Sequence, residues 1–107
     1  MTETQLFYSE DFYEMVAEFC KGQANPKRLK IIELLSSGEK SVGELSRALH
    51  IPQANLSQHL SYMKRAGVLR SRREGATVYY NLADGRIAEA CRLIKQVVAE
   101  RHGLKTG

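Results

Sequence analysis

Residues 53–69 read QANLSQHLSYMKRAGVL. Leu56, Leu60 and Met63 recur at helical spacing. At 100° per residue, Leu60 lies about 40° to one side of Leu56 and Met63 about 20° to the other. A helix would bury that stripe. Its opposite face collects Ala54, Gln58, Ser61, Tyr62 and Arg65, with Asn55 and Ser57 on the flanks. A surface helix is ordinarily stitched by Glu and Lys at i, i+4. This one carries amides and hydroxyls and no acid. Such groups donate and accept short-range hydrogen bonds, as base edges in a major groove require. A carboxylate beside phosphates would be repelled, so its absence points the same way. Taken alone, the pattern also fits a solvated face on an ordinary helix. Its neighbours in the chain decide.

Upstream, Ser41 and Glu44 in SVGE form a capping box. They start a short helix over 42–49 with Val42, Leu45 and Leu49 inward. HIP (50–52) is the turn, and Pro52 opens the next helix, which ends before Gly67. Two short helices joined tightly, the second polar outside, make a helix-turn-helix. Downstream, VLRSRREGATVYYNL (68–82) changes to period two: Val78, Tyr80 and Leu82 alternate with Thr77, Tyr79 and Asn81. The stretch predicts strand, tip, strand, with Arg72, Arg73, Glu74 and Gly75 crowding the tip. A basic hairpin after a helix-turn-helix is a wing.

Flanking helices complete the chain. Phe12, Met15, Val16, Phe19 and Cys20 predict a first helix over 9–21, which GQANP breaks. Asn25 caps a second, opened by Pro26 and running to about Ser36, with a wide apolar face of Leu29, Ile31, Ile32, Leu34 and Leu35. Ile87, Ala90, Cys91, Ile94, Val97 and Val98 place a last helix at about 84–101, followed by a frayed HGLKTG tail. The expectation is a single domain over 1–107, mainly α with a small β-hairpin, a winged helix-turn-helix. Its parts are an N-terminal helix region 1–23, a core 24–82 and a C-terminal helix region 84–102.

The bulk properties agree. A chain of 107 residues, 43% hydrophobic, suits one small globule. No apolar run approaches the roughly 20 residues that span a membrane. The acidic start has no basic n-region, so no signal peptide is read there and a cytoplasmic protein is expected. The net charge is +4, unevenly spread. Residues 1–19 hold five acids (Glu3, Glu10, Asp11, Glu14, Glu18) and no base, whereas residues 53–73 hold five bases (Lys64, Arg65, Arg70, Arg72, Arg73) and no acid. One end repels polyanions and one segment attracts them. No nucleophile elbow, HExxH or Gly-rich phosphate loop occurs, so an enzyme is not expected.

The stretch ANPKRLKIIELLSSGEKSVGELSRALHIPQANLSQHLSYMKRAGVLRSRREGATVYYNLAD, about residues 24–84, resembles the ArsR/SmtB family of winged-helix repressors. NPKRLKIIELL, LSQHLSYMKRAGVLRSRREG and VYYNL carry the resemblance jointly. It implies a dimer built largely by the first and last helices, binding imperfect inverted repeats in promoter DNA and usually repressing. It implies a recognition helix at 53–66 and a wing at 70–79. On this reading Gln53, Asn55, Ser57 and Gln58 face bases, while Ser61, Lys64 and Arg65 face phosphates. His59 flanks the buried stripe within reach of a phosphate. Tyr62 either contacts the DNA backbone or packs under the wing. Arg70, Arg72, Arg73, Gly75 and Thr77 form the wing's DNA edge. The terminal helices each bring an apolar stripe that a small domain cannot cover alone, which argues independently for a homodimer. A winged helix that binds another protein instead is the rival class.

The family's inducer sites do not carry over. Ser41 and Gly43 stand where one site needs a Cys-x-Cys pair. At another, Asp84 matches, but Arg86, Gln96 and Ala99 occupy the remaining ligand positions, and His102 lies a few residues off. A tetrahedral site needs its full set, so no metal and no cofactor is expected. His50 sits in the turn, where it caps or packs. Cys20 and Cys91 remain, each on a terminal helix stripe. They are either buried small hydrophobes or a thiol switch that a thiol-reactive inducer would bridge. Without an inducer the protein would be a constitutive DNA binder.

Overall fold

A computed structural model describes residues 9–105. Five helices and a small sheet follow in order: α1 (Glu10–Lys21), α2 (Pro26–Leu35), β1 (Lys40–Ser41), α3 (Val42–Leu49), α4 (Gln53–Arg65), β2 (Leu69–Glu74), β3 (Thr77–Leu82) and α5 (Arg86–Arg101). This is the winged helix-turn-helix expected.

Helix starts are written in capping chemistry. The Ser9 side chain accepts from Phe12 N–H, and Asn25 accepts from Lys27 and Arg28 N–H with Pro26 in the first turn. At α3 the capping box is complete: Ser41 Oγ accepts from Glu44 N–H at 3.1 Å and Glu44 Oε1 from Ser41 N–H at 3.0 Å. His50 ends α3 in the left-handed region (φ 55°), its N–H donating to Ser46 C=O. That sharp stop turns the chain into α4 within three residues.

The core forms where α2, α3, α4 and the hairpin root meet. Ile31, Ile32, Leu45, Leu56, Leu60, Met63 and Val68 are fully buried, joined by Leu35, Ile51, Leu69, Ile87 and Cys91. The stripe of α4 is buried completely, so the outward face of that helix is fixed by packing. Gly22 makes the tightest joint. A Cβ there would meet Ala66 Cβ at 3.0 Å, so glycine lets the end of α1 close on the end of α4.

Three readings need correction. Leu29, expected inward, is 38% exposed, because the inner side of α2 is filled by Ile31, Ile32 and Leu35. Arg72 and Arg73 lie within β2. The tip is the two-residue turn Gly75–Ala76, with Gly75 at φ 62°. A single positive φ at the first turn position is the geometry of a two-residue hairpin that matches strand twist. Burial in β3 does not alternate: Val78 to Leu82 are all half-buried. β3 is the central strand, in the order β1-β3-β2, and its outer face is partly covered by wing side chains. β1 itself, pairing Lys40 with Tyr80 and Ser41 with Tyr79, was not read from the sequence.

The terminal helices are different in kind. No residue of α1 is buried, and Tyr13, Met15 and Val16 are 52%, 59% and 43% exposed. In α5 only Ile87 and Cys91 are buried. Leu93, Ile94, Val97 and Val98 are 49–64% exposed, and Ala90 is also exposed.

Candidate nucleic-acid interface

With Leu56, Leu60 and Met63 locked inward, Gln53, Asn55, Ser57, Gln58, Ser61, Lys64 and Arg65 are all exposed on α4. The side chains of Gln53, Asn55, Ser57, Gln58 and Ser61 make no hydrogen bond among the described residues. They are held in position by the backbone and remain open to a ligand. Unlike α1, α2 and α3, α4 has no side-chain cap: Pro52 precedes it, and its first turn carries no acid. Its unpaired N–H groups and positive dipole end stay available to an anion.

The C-terminal half of α4 is more engaged. Lys64 Nζ donates to Ser71 Oγ at 2.7 Å, tying the helix to β2. Arg65 and Tyr62 line a groove of about 680 Å³ shared with Asp11, Glu14 and Glu18 of α1. The acidic end of the chain therefore folds beside the last turn of α4.

His59 and Tyr62 face α2. His59 is half-buried with Nδ1 3.5 Å from Arg28 Nη1. Burial, then the charges of Arg28 and Lys27, hold its pKa below the ordinary imidazole value. Arg28 lays its guanidinium over the Tyr62 ring at 4.6 Å and reaches Lys21 C=O at 3.5 Å through Nη2. Its Nε is buried with no acceptor among the described residues. So Tyr62 packs on α2 rather than under the wing. Arg28, which the sequence pattern does not single out, joins the end of α1 to α4. Its position in NPKR beside the α2 cap was the only available clue.

On the wing, Arg70, Arg73, Gly75 and Thr77 are exposed, and Arg73 forms no ion pair among the described residues. Arg72 is engaged by three partners while about half of its side chain stays exposed. It pairs with Glu39 and with Glu74 (2.9 Å), and stacks on Tyr79 at 4.5 Å. That contact pushes the Glu39 carboxyl below its usual range.

Of the residues weighed for sensing, Asp84 is occupied by its neighbour. Arg86 donates to it from the side chain at 2.8 Å and the backbone at 2.9 Å, holding its pKa at about 2. No group of three or more His, Cys, Asp or Glu able to hold a metal occurs among the described residues. Cys20 is exposed and Cys91 buried. The Cys91 thiol donates to Gln23 Oε1 at 3.2 Å. Its pKa is raised, first by burial and in lesser part by the nearby Cys20.

A buried three-residue stripe presenting an acid-free face, followed by a basic hairpin, defines a winged helix-turn-helix DNA-binding regulator. Comparison with known proteins agrees. Residues 25–71 match the model of the bacterial regulatory protein, arsR family. The chain is 42% identical over 92 residues to the uncharacterised HTH-type transcriptional regulator Rv0081 of Mycobacterium tuberculosis, covering 85% of this chain and 81% of that one. It is 38% identical over 80 residues to the transcriptional activator HlyU of Vibrio cholerae, covering 75% and 74%. The solution structure of the homodimeric winged helix-turn-helix domain of Mb0332 from Mycobacterium bovis superposes with a TM-score of 0.76 at 31% identity, covering 95% of this chain and 90% of that one. The chain belongs to the ArsR family of winged helix-turn-helix DNA-binding transcriptional regulators. No helix among the described residues is long and apolar enough to cross a membrane.

Proposed function

We propose that the protein acts as a homodimeric repressor that reads an inverted-repeat promoter operator, one half-site per α4. The observation that carries this reading is the N-terminal half of α4, where Gln53, Asn55, Ser57 and Gln58 are exposed and make no side-chain hydrogen bond among the described residues, and where the first turn holds no acid. Gln53, Asn55, Ser57 and Gln58 stand nearest the helix's open N-terminus and are assigned to bases and adjacent backbone. Ser61, Lys64 and Arg65 are assigned to phosphates, with Arg73 and Gly75 on the wing; Arg70 and Thr77, expected there as well, lie on the hairpin face turned away from α4. His59 is moved out of the phosphate set, because its ring is occupied by Arg28.

The dimer is supported by the apolar faces of α1 and α5 that one copy leaves in water, and by the homodimeric relative. Two α4 helices would then enter successive major grooves about 34 Å apart. The experiment is a binding titration on a duplex that the protein itself selects from a random pool, repeated across salt. Affinity should fall by orders of magnitude from about 50 to 200 mM salt. A salt-indifferent complex would favour the protein-interaction reading. Repression rests on the family resemblance. Since HlyU is named an activator, in vitro transcription from the selected site decides the sign.

Release by thiol chemistry at Cys20 and Cys91 is part of the proposal, supported by an exposed free thiol on α1 and a second free thiol on α5. Exposed Cys20 would react first and buried Cys91 would follow as its bridge partner. The test adds a tetrasulfide or arsenite to the DNA complex of wild type, Cys20→Ser and Cys91→Ser. Release confined to the wild type supports the switch. A wild-type complex that survives treatment is a constitutive binder.

A further inference from the structure

The wing sorts its arginines by face. In the β2–β3 register Arg70 opposes Asn81, Arg72 opposes Tyr79 and Glu74 opposes Thr77, so these six share one face. Ser71 and Arg73 belong to the other face, and Ser71 receives the Lys64 ammonium of α4. Arg73 is thus on the α4 side of the hairpin, and Arg72 is turned away from it.

What Arg72 meets on its own face is a built clamp. Arg72 Nε donates to Glu39 Oε2 at 2.8 Å, and Nη2 donates to Glu39 Oε1. Nη1 donates to Glu74 Oε2 at 2.9 Å, and the guanidinium plane lies over Tyr79. Glu39 Oε2 also accepts from Asn81 Nδ2 at 3.2 Å, so the carboxylate touches both strands of the hairpin. Glu39 sits in the loop before β1, 33 residues from Arg72, and so belongs to the body of the domain. One guanidinium between two carboxylates carries a net negative local charge. A phosphate approaching Arg72 would meet a guanidinium whose charge the two carboxylates already offset.

An isolated exposed ion pair contributes little. This one is bidentate, stacked and cross-braced, which is the geometry in which arginine is not replaceable by lysine. A two-stranded ribbon is marginal alone and takes its angle from what holds its base. We propose that Glu39 and Arg72 are positioning residues that set the angle of the wing, so that Arg73 on the opposite face reaches the DNA backbone, while Arg72 itself touches no phosphate. This rests on the reading of the wing as a DNA-contacting element.

The two ideas separate by sign. Removing the Glu39 carboxylate takes a negative charge away from a DNA-binding surface. Charge alone therefore predicts tighter binding, whereas the clamp predicts weaker binding. Arg72→Lys keeps the charge but loses the two-pronged grip on Glu39 and the flat stack on Tyr79. A phosphate ligand would tolerate it and a clamp would not.

The measurement is fluorescence anisotropy on the protein-selected duplex, from about 50 to 300 mM salt, with a melting curve for each variant. Glu39→Ala and Arg72→Lys are each expected to weaken binding by about three- to tenfold, and the double variant no more than either single one. All three should keep the wild-type salt slope. Arg73→Ala should lower that slope by about 1. If Glu39→Ala melts early, Glu39→Gln, which keeps shape and one acceptor, is read in its place with a smaller loss expected. Glu39→Ala at or above wild-type affinity, or Arg72→Lys at full affinity, overturns the clamp even where Arg73→Ala confirms the wing contact. Arg73→Ala with unchanged affinity and slope overturns the wing contact, and the clamp's purpose with it.

Discussion

Two helices of this molecule carry apolar stripes of the same kind and meet opposite fates. On α4, Leu56, Leu60 and Met63 are wholly buried. On α5, Ile94, Val97 and Val98 follow the same periodicity and are 64%, 51% and 50% exposed. The contrast is one of neighbours. α4 is enclosed by α2, α3 and β2, whereas α5 touches the body near its start, through Ile87, Ala88 and Cys91, and through the Lys95–Glu33 ion pair at 3.1 Å. α1, with no buried residue, repeats the α5 pattern. The middle of the chain thus supplies most of the core, with Ile87 and Cys91 of α5 closing it. The ends carry apolar surface that the proposed second copy would cover.

The strongest way to break this comparison is to cut each stripe in turn. Leu60→Ala empties a fully buried position. It should destabilise the protein by about 2–5 kcal/mol, read as a large drop in urea midpoint, with DNA binding lost through unfolding. Ile94→Asp should leave each subunit folded, because Ile94 meets mostly water in one copy. Its effect should appear in sedimentation as a shift to monomer, and in operator affinity as a loss of at least about tenfold, since one half-site is then read at a time. If Ile94→Asp unfolds the chain and the wild type itself sediments as a monomer, α5 belongs to the single-copy core and the comparison fails.

The contrast also explains what could be read from the sequence. Periodicity and caps are local, so Asn25, Ser41 and the apolar stripes of α1 and α4 announced helices whose bounds hold to within about a residue or two. Pairing is not local. Nothing in the Glu39 stretch signals that its carboxylate crosses 33 residues to Arg72. A basic residue near a hairpin therefore reads as a DNA contact when it is an internal tie. The same holds for Tyr62, whose partner Arg28 comes from α2. The outer face of α4 was legible because it is a pattern of omissions: no acid and no pairing at i, i+4. The wing's division of labour was not, since strand register decides which arginine faces which way.

Within the exposed half of α4, the comparison sharpens to single contacts. Gln58→Ala removes an exposed amide that supports nothing in the fold, so the melting midpoint should hold. Affinity for the selected duplex should fall by about 1–3 kcal/mol, and the preference among operator variants should relax. A uniform loss on all sequences would reassign Gln58 to the phosphate backbone.

The smallest expected effect lies on the α2-facing edge of the same helix, at His59. Its folded pKa is depressed by burial and then by Arg28 and Lys27, while the unfolded ring titrates near 6.5. Below that value the unfolded chain binds a proton that the native site resists. Stability from neutral His59 is therefore complete above about pH 6.5 and is lost as pH falls toward the folded pKa. The lowered carboxylates, Asp84 at about 2 among them, titrate well below this window and do not confuse it. The urea midpoint should drop slightly between about pH 7.5 and 5.5, and His59→Gln should flatten that drop. A His59→Gln protein with the wild-type pH profile would show that Arg28 packs against the ring without opposing its charge.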